Sequence, residues 1–305
     1  MRLGAGVAAA LAAGHPVLAC ESTILTHGLP APRNLAVAAE AEDLVRSLGV
    51  VPATVGVLDG EVVVGLSGPE LERLAGAPGR VKLSARDLPV AVATGATGGT
   101  TVAATAHLAH RAGIAVFATG GLGGVHRGAA TTFDESADLP ALASLPVVVV
   151  SAGVKSVLDV AATLERLETL GVSVAGYRTH AFPGFYVADS GHRVGQRVES
   201  PQQVAAAWRA ARALGLPGAL VVANPVPRDE QLPPAEHDAA LADALAALDA
   251  AGIGGQDATP FLLQRVRDAT GDRSLEVNVA VYRNNLTLGA RIAAELAADP
   301  VTPPG

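Results

Sequence analysis

Two lysines, a glutamate, a glycine-rich stretch and a short acidic run are the parts of this sequence whose types and spacing suit chemistry. Of its 22 Lys and Arg residues only two, Lys82 and Lys155, are lysine. In a chain that uses arginine wherever a positive charge suffices, the remaining amines are candidates for nucleophilic work, because a guanidinium stays protonated. Lys155 follows Gly153 and the apolar run 147–150, where desolvation would favour the neutral, nucleophilic amine. Lys82, in Arg-Val-Lys-Leu-Ser (80–84), suits pairing with a phosphate. Either reads otherwise as an ordinary strand-end lysine. Glu21 follows an apolar run and is a candidate proton donor, the alternative being a carboxylate that caps the next turn.

The segment Thr-Gly-Gly-Leu-Gly-Gly-Val-His-Arg-Gly (119–128) places five glycines in ten positions, which frees the backbone to turn consecutive amide hydrogens toward an anion. It reads as a phosphate cradle carrying His126 and Arg127, or else as a flexible surface loop. It is not a dinucleotide fingerprint, and no Gly-Lys-Ser/Thr phosphate loop occurs anywhere. Next comes Asp-Glu-Ser-Ala-Asp (134–138), hard oxygen ligands suited to Mg or Mn with retained waters, although such runs also cap helices or face solvent. His107 and His110 lie three apart and, with no third ligand, read as an exposed pair on a helix.

Strands must bring these groups together. Apolar, β-branched runs at 16–22, 53–58, 114–118, 147–151, 172–176 and 219–223 alternate with helical patterns at 35–48, 100–112, 156–170, 202–214, 239–251 and 275–297. Asn34 and Ser200 are expected N-caps, and Gly49, Gly113, Gly171 and Gly215 expected left-handed C-caps. Strands apolar on both faces, such as 146–150, need helices on both sides. The expectation is α/β: a single-domain α/β/α sandwich, residues 1–305, around a mixed, largely parallel sheet. Ligands gather at the carboxyl ends of such strands, which is where Glu21, the glycine-rich segment and Lys155 fall.

Half of the residues are apolar, and 29 acidic against 22 basic residues leave no basic run. That disfavours a nucleic-acid polymer as ligand, while a single nucleotide needs only a local basic site. Cys20 is the only cysteine, so no internal disulfide forms and the cytoplasm is the expected compartment. The stretch 4–20 loosely resembles a signal peptide ending at a lipidated cysteine, but Gly-His-Pro (14–16) interrupts it and a helix leading into a strand explains it better. No apolar run approaches a bilayer's length, so no membrane role is expected.

Several blocks, in order, resemble one family. They include Cys-Glu-Ser-Thr-Ile-Leu-Thr-His-Gly-Leu-Pro-Ala-Pro-Arg-Asn (20–34), Val-Lys-Leu-Ser-Ala-Arg-Asp-Leu (81–88), the glycine-rich segment, Phe-Asp-Glu-Ser-Ala-Asp-Leu (133–139), Ser-Ala-Gly-Val-Lys-Ser-Val-Leu-Asp (151–159) and Ser-Leu-Glu-Val-Asn-Val-Ala (274–280). The chain resembles the pseudouridine-5'-phosphate glycosidases (indigoidine synthase A-like) from about Glu21 to Ala293. The resemblance implies an α/β/α homotrimer that reversibly splits pseudouridine 5'-phosphate into uracil and ribose 5-phosphate. Glu21 would be the proton donor, Lys155 the Schiff-base nucleophile and Asp134 the ligand of Mn2+. Lys82, Val102, His126, Ser136, Ala137 and Asp138 would contact substrate, with Asn278 near the sugar. A Schiff-base sugar-phosphate aldolase is the alternative, needing the same lysine but no uracil pocket. Three departures stand out: Glu135 where a branched apolar residue is usual, Gln256 where lysine is common, and Gly98-Gly99 lengthening the turn before Thr100, which bears on Val102.

Overall fold

The computed structural model describes residues 1–253 and 258–299; Gln256 lies outside them. The strands are β1 (Arg2–Leu3), β2 (Val17–Cys20), β3 (Val51–Leu58), β4 (Glu61–Val64), β5 (Val81–Leu83), β6 (Gly98–Thr100), β7 (Val116–Ala118), β8 (Val148–Ser151), β9 (Ser173–Tyr177), β10 (Gln196–Val198) and β11 (Leu220–Ala223). They order as β1-β4-β3-β2-β7-β8-β11-β9-β10, with β6 pairing both β3 and β5. Among these strands, β3 pairs antiparallel with β4 and β6, and the other pairs are parallel. This is the mixed, largely parallel sheet expected.

Helices α1 (Ala5–Ala12), α2 (Arg33–Ser47), α3 (Gly68–Gly76), α4 (Leu88–Thr94), α5 (Val102–Arg111), α6 (Ala129–Thr132), α7 (Asp138–Ser144), α8 (Val160–Thr169), α9 (Pro201–Ala213), α10 (Pro234–Ala251), α11 (Ala258–Thr270) and α12 (Arg273–Ala298) surround it. The period of two along each strand explains the layers. Val17, Ala19, Phe117, Val149 and Val221 enter one core with residues of α1, α5 and α7. Their neighbours Leu18, Cys20, Val116, Val148, Val150 and Val222 enter a second core with α2, α3, α9 and α12. Each fully buried Val or Leu in these layers is worth roughly 1.5–3 kcal/mol. A third cluster joins α10 and α11 to Val277 and Val281 of α12.

Ser200 caps α9 as expected, its hydroxyl accepting from the Gln203 amide, and Gly49, Gly113, Gly171 and Gly215 all have positive φ. Asn34 is not an N-cap. It lies inside α2, buried, and its Nδ2 donates to the Leu25 carbonyl at 2.8 Å, tying the helix to the turn after β2. Gly98 and Gly99 are not a longer turn either. They form β6, where a Cβ at Gly98 would stand 2.4 Å from the Val81 carbonyl oxygen and one at Gly99 2.3 Å from Thr26 Oγ1, so close packing rather than flexibility demands glycine. Cys20 is a buried strand residue whose thiol pKa is pushed up to about 12, chiefly by desolvation, so it is inert as a nucleophile. Among the described residues no helix is long and apolar enough to cross a membrane.

Candidate active site

Strands β2, β7 and β8 lie side by side and parallel, and the chain leaves their carboxyl ends at Glu21, Thr119 and the loop to Lys155. Past the strands, the two loops after β7 and β8 stay zipped: Ala152 N donates to Gly120 O, Leu122 N to Gly153 O and Lys155 N to Leu122 O, at 2.9–3.0 Å. Lys155 is therefore held through its backbone rather than on a free loop. Gly153 makes this possible, with φ +75° and no room for a Cβ, which would lie 2.3 Å from the Pro183 carbonyl oxygen.

A cavity of about 370 Å³ opens over these ends. Glu21, Lys82, Val102, His126, Asp134, Ser136, Ala137, Asp138 and Lys155 all line it. Asn278 does not. It sits on α12 behind the glycine-rich segment, its Oδ1 3.4 Å from where a Cβ on Gly120 would stand.

Glu21 is 5% exposed and caps nothing. Its Oε2 accepts from the Thr23 hydroxyl at 2.6 Å and its Oε1 from the Thr119 hydroxyl. The two threonines fix the carboxylate plane, a role the sequence did not signal.

Lys82 lies on the edge strand β5, reaching the same cavity from the far side. Its pKa is held below the ordinary lysine value, first by desolvation and second by the charge of Lys155. The two amines therefore sense each other across the cavity. The flanking Arg80 donates through its guanidinium to the Thr26 and Ala77 carbonyls.

Several amides of the glycine-rich segment are engaged within the protein: Gly123 N donates to Asp138 Oδ2, Val125 N to Thr163 Oγ1 and His126 N to the Asp134 carbonyl, at 2.8–3.0 Å. A Cβ at Gly121 would meet the Phe185 ring at 2.6 Å, at Gly123 Ser136 Oγ at 2.2 Å, and at Gly124 Thr163 Oγ1 at 2.4 Å. The glycines are needed for close packing around a junction of loops. Asp138 is part of that junction, since its second oxygen accepts from Ala103 N at 2.9 Å. With Ala103 so occupied and Ala104 N bonded to Thr101 Oγ1, the Val102 amide is left, among the described residues, as the first-turn donor of α5 without an acceptor at the cavity wall. A helix N-terminus presents such a donor to an anion with the helix dipole behind it.

His126 has its pKa lowered, first by desolvation, against the opposing pull of Asp134. Near neutral pH it presents a neutral ring. Its Nδ1 lies 3.7 Å from Asp134 Oδ2, too far for a hydrogen bond. Among the described residues no three His, Cys, Asp or Glu side chains gather into a metal cage. A single cavity-facing carboxylate nevertheless fits a hard divalent ion that keeps most of its waters. Glu135 does not add to that charge, because its Oε2 accepts from Arg166 Nε at 2.9 Å, a half-exposed pair worth about 0–1 kcal/mol. Arg166, in mid-helix, also lines the cavity; nothing in its sequence context distinguishes it from other surface arginines. His107 and His110 are exposed on α5, as expected.

This sheet and site define the class: residues 6–295 match the family of indigoidine synthase A like proteins, and the chain belongs to it. It is 64% identical to a pseudouridine-5'-phosphate glycosidase of Saccharopolyspora erythraea over 94% of this chain and 95% of the relative. A pseudouridine-5'-phosphate glycosidase of Frankia alni is 57% identical over 99% of this chain and 83% of the relative. Among solved structures, the prealnumycin C-glycosynthase AlnA in complex with ribulose 5-phosphate superposes with a TM-score of 0.91 at 37% identity, covering 97% of each chain. An indigoidine synthase A-like protein from Thermotoga maritima gives 0.86 at 38% identity, covering 93% of this chain and 94% of that one.

Proposed function

We propose that this chain is a pseudouridine-5'-phosphate glycosidase that reversibly splits the C–C glycosidic bond to give uracil and ribose 5-phosphate. The observation that carries the reading is the meeting of Glu21, Lys155 and Lys82 in one cavity, in a chain 64% identical to an enzyme of that name. A carbon-linked base is a poor leaving group that acid alone does not expel, so the usual pair of carboxylates is insufficient. The neutral Lys155 amine bonds to C1' as the C1'–O4' bond breaks, and O4' takes the proton that the amine sheds. The nitrogen lone pair then forms C1'=N while the C1'–C5 bond breaks and Glu21 delivers its proton to C5 of uracil. Water adds to the iminium, freeing ribose 5-phosphate and the amine, and the proton returns to Glu21. Lys82, the Val102 amide, Ser136, Ala137 and the neutral His126 ring hold the 5'-phosphate and sugar, and Asp138 keeps their loops in register. Release of uracil from pseudouridine 5'-phosphate, followed by chromatography, tests this; a folded protein that releases none overturns it. Uracil among the products also separates the activity from that of a sugar-phosphate aldolase.

Asp134 would hold Mn2+, mainly through water, and the ion would supply positive charge beside the phosphate when bound. Chelation followed by dialysis is expected to lower turnover at least about tenfold, with Mn2+ restoring it, and Asp134→Ala is expected to lose Mn2+ binding in a direct titration. Full activity after metal removal would reject this role. The family resemblance further supports a homotrimer, which sedimentation measures, and the single buried thiol suits the cytoplasm.

A further inference from the structure

We infer that Thr119 is a positioning residue for Glu21, holding its carboxyl in the orientation from which the proton is delivered to the base. The inference rests on the function proposed above and adds to it a residue that does not line the substrate cavity. Thr119 is fully buried, and its hydroxyl donates to Glu21 Oε1. Glu21 Oε2 lies on the other side, bonded to Thr23, and Thr23 itself lines the cavity. Thr119 thus anchors one carboxyl oxygen from the buried side while Thr23 holds the other at the cavity wall, so the plane of the proton donor depends on a hydroxyl that does not itself line the cavity.

The position of the hydroxyl is itself secured. Asn285 of α12, fully buried in an otherwise apolar helix face, donates through Nδ2 to the Thr119 carbonyl at 2.8 Å and to the Gly120 carbonyl at 3.3 Å. Its Oδ1 accepts from Asn224 Nδ2 at 2.9 Å, and the Asn224 amide donates to the Ser151 carbonyl at 2.8 Å. A continuous buried path of hydrogen bonds thus runs from the end of β8 through two asparagines to Thr119 and Glu21. Such a network is costly unless every member is satisfied, and here the Asn285 amide uses both its donor and acceptor groups. Its purpose is legible at the end that meets the cavity: the path stops at the proton donor.

The test separates the two halves of the reaction. Thr119→Val keeps the shape and removes the hydroxyl; Thr119→Ser restores it. Borohydride trapping of ribose 5-phosphate on Lys155 needs no proton delivery to C5, so Thr119→Val should trap as well as the unaltered protein. Its kcat for uracil release should fall about 100-fold with KM changed less than about threefold, and Thr119→Ser should stay near the starting kcat. An unchanged kcat in Thr119→Val, or parallel loss of trapping and cleavage, overturns the assignment. If Thr119→Val does not fold, Thr119→Ala takes its place with the same expected split, and failure of both to fold makes Thr119 structural and likewise overturns it. If the unaltered protein neither traps nor cleaves, the fault lies in the proposed function instead.

Discussion

Lys155→Arg is expected to abolish covalent trapping of ribose 5-phosphate and to lower uracil release by on the order of 10⁵-fold, because a guanidinium keeps the charge but cannot form an imine. Lys82→Arg should raise KM and retain some trapping. The contrast is needed because Lys82 shares the cavity and has its own pKa lowered, by desolvation and by the Lys155 charge. A depressed pKa alone would therefore nominate Lys82, and its place in the fold favours a phosphate-holding role instead. Lys82 stands on an edge strand beside the α5 N-terminus, where a phosphate would sit. Lys155 stands at the end of the central strand β8, one parallel strand away from β7 and two from β2, which ends at Glu21. With only two lysines in the chain, mass spectrometry of the borohydride-reduced adduct locates it directly. An adduct confined to Lys82 would reject the proposed mechanism while leaving a phosphate-binding cavity.

The layered architecture was legible because runs such as 146–150 lack alternation, and a strand apolar on both faces is satisfied only between two helical layers. Lys155 and Glu21 were legible for a related reason, since they sit where apolar runs end and ligands collect in parallel sheets. What the sequence hid was the use of hydrogen-bonding capacity. A glycine-rich run looks the same whether or not it packs tightly, and only the close approaches of Phe185, Ser136 and Thr163 to Gly121, Gly123 and Gly124 reveal that it does. Nor did the sequence signal that backbone amides of Ala103 and Gly123 donate to the two oxygens of Asp138. Thr119 and Asn285 are 166 residues apart, so no local pattern could join them. Asn34 was misassigned because a cap and a buried tertiary donor have the same residue preference.

Glu21→Gln is expected to bind pseudouridine 5'-phosphate nearly as tightly as the unaltered protein and to release uracil about 10²–10⁴-fold more slowly. The amide preserves the volume of a side chain only 5% exposed, and of the two threonine hydroxyls that now donate to the carboxylate one can go on donating to the amide oxygen while the other turns to accept from the amide nitrogen. Neither the strand end nor the cavity wall has cause to move. What disappears is the exchangeable carboxyl proton, and a neutral amide is too weak an acid to replace it as the C–C bond breaks. Trapping of ribose 5-phosphate should persist, since that adduct requires the Lys155 amine and not a proton at C5. The measurement is paired: calorimetric binding and borohydride adduct on one side, uracil release on the other. Loss of binding in proportion to turnover would make Glu21 a structural carboxylate that holds Thr23 and Thr119. Retention of near-full turnover would remove it from the mechanism and require another proton donor for C5.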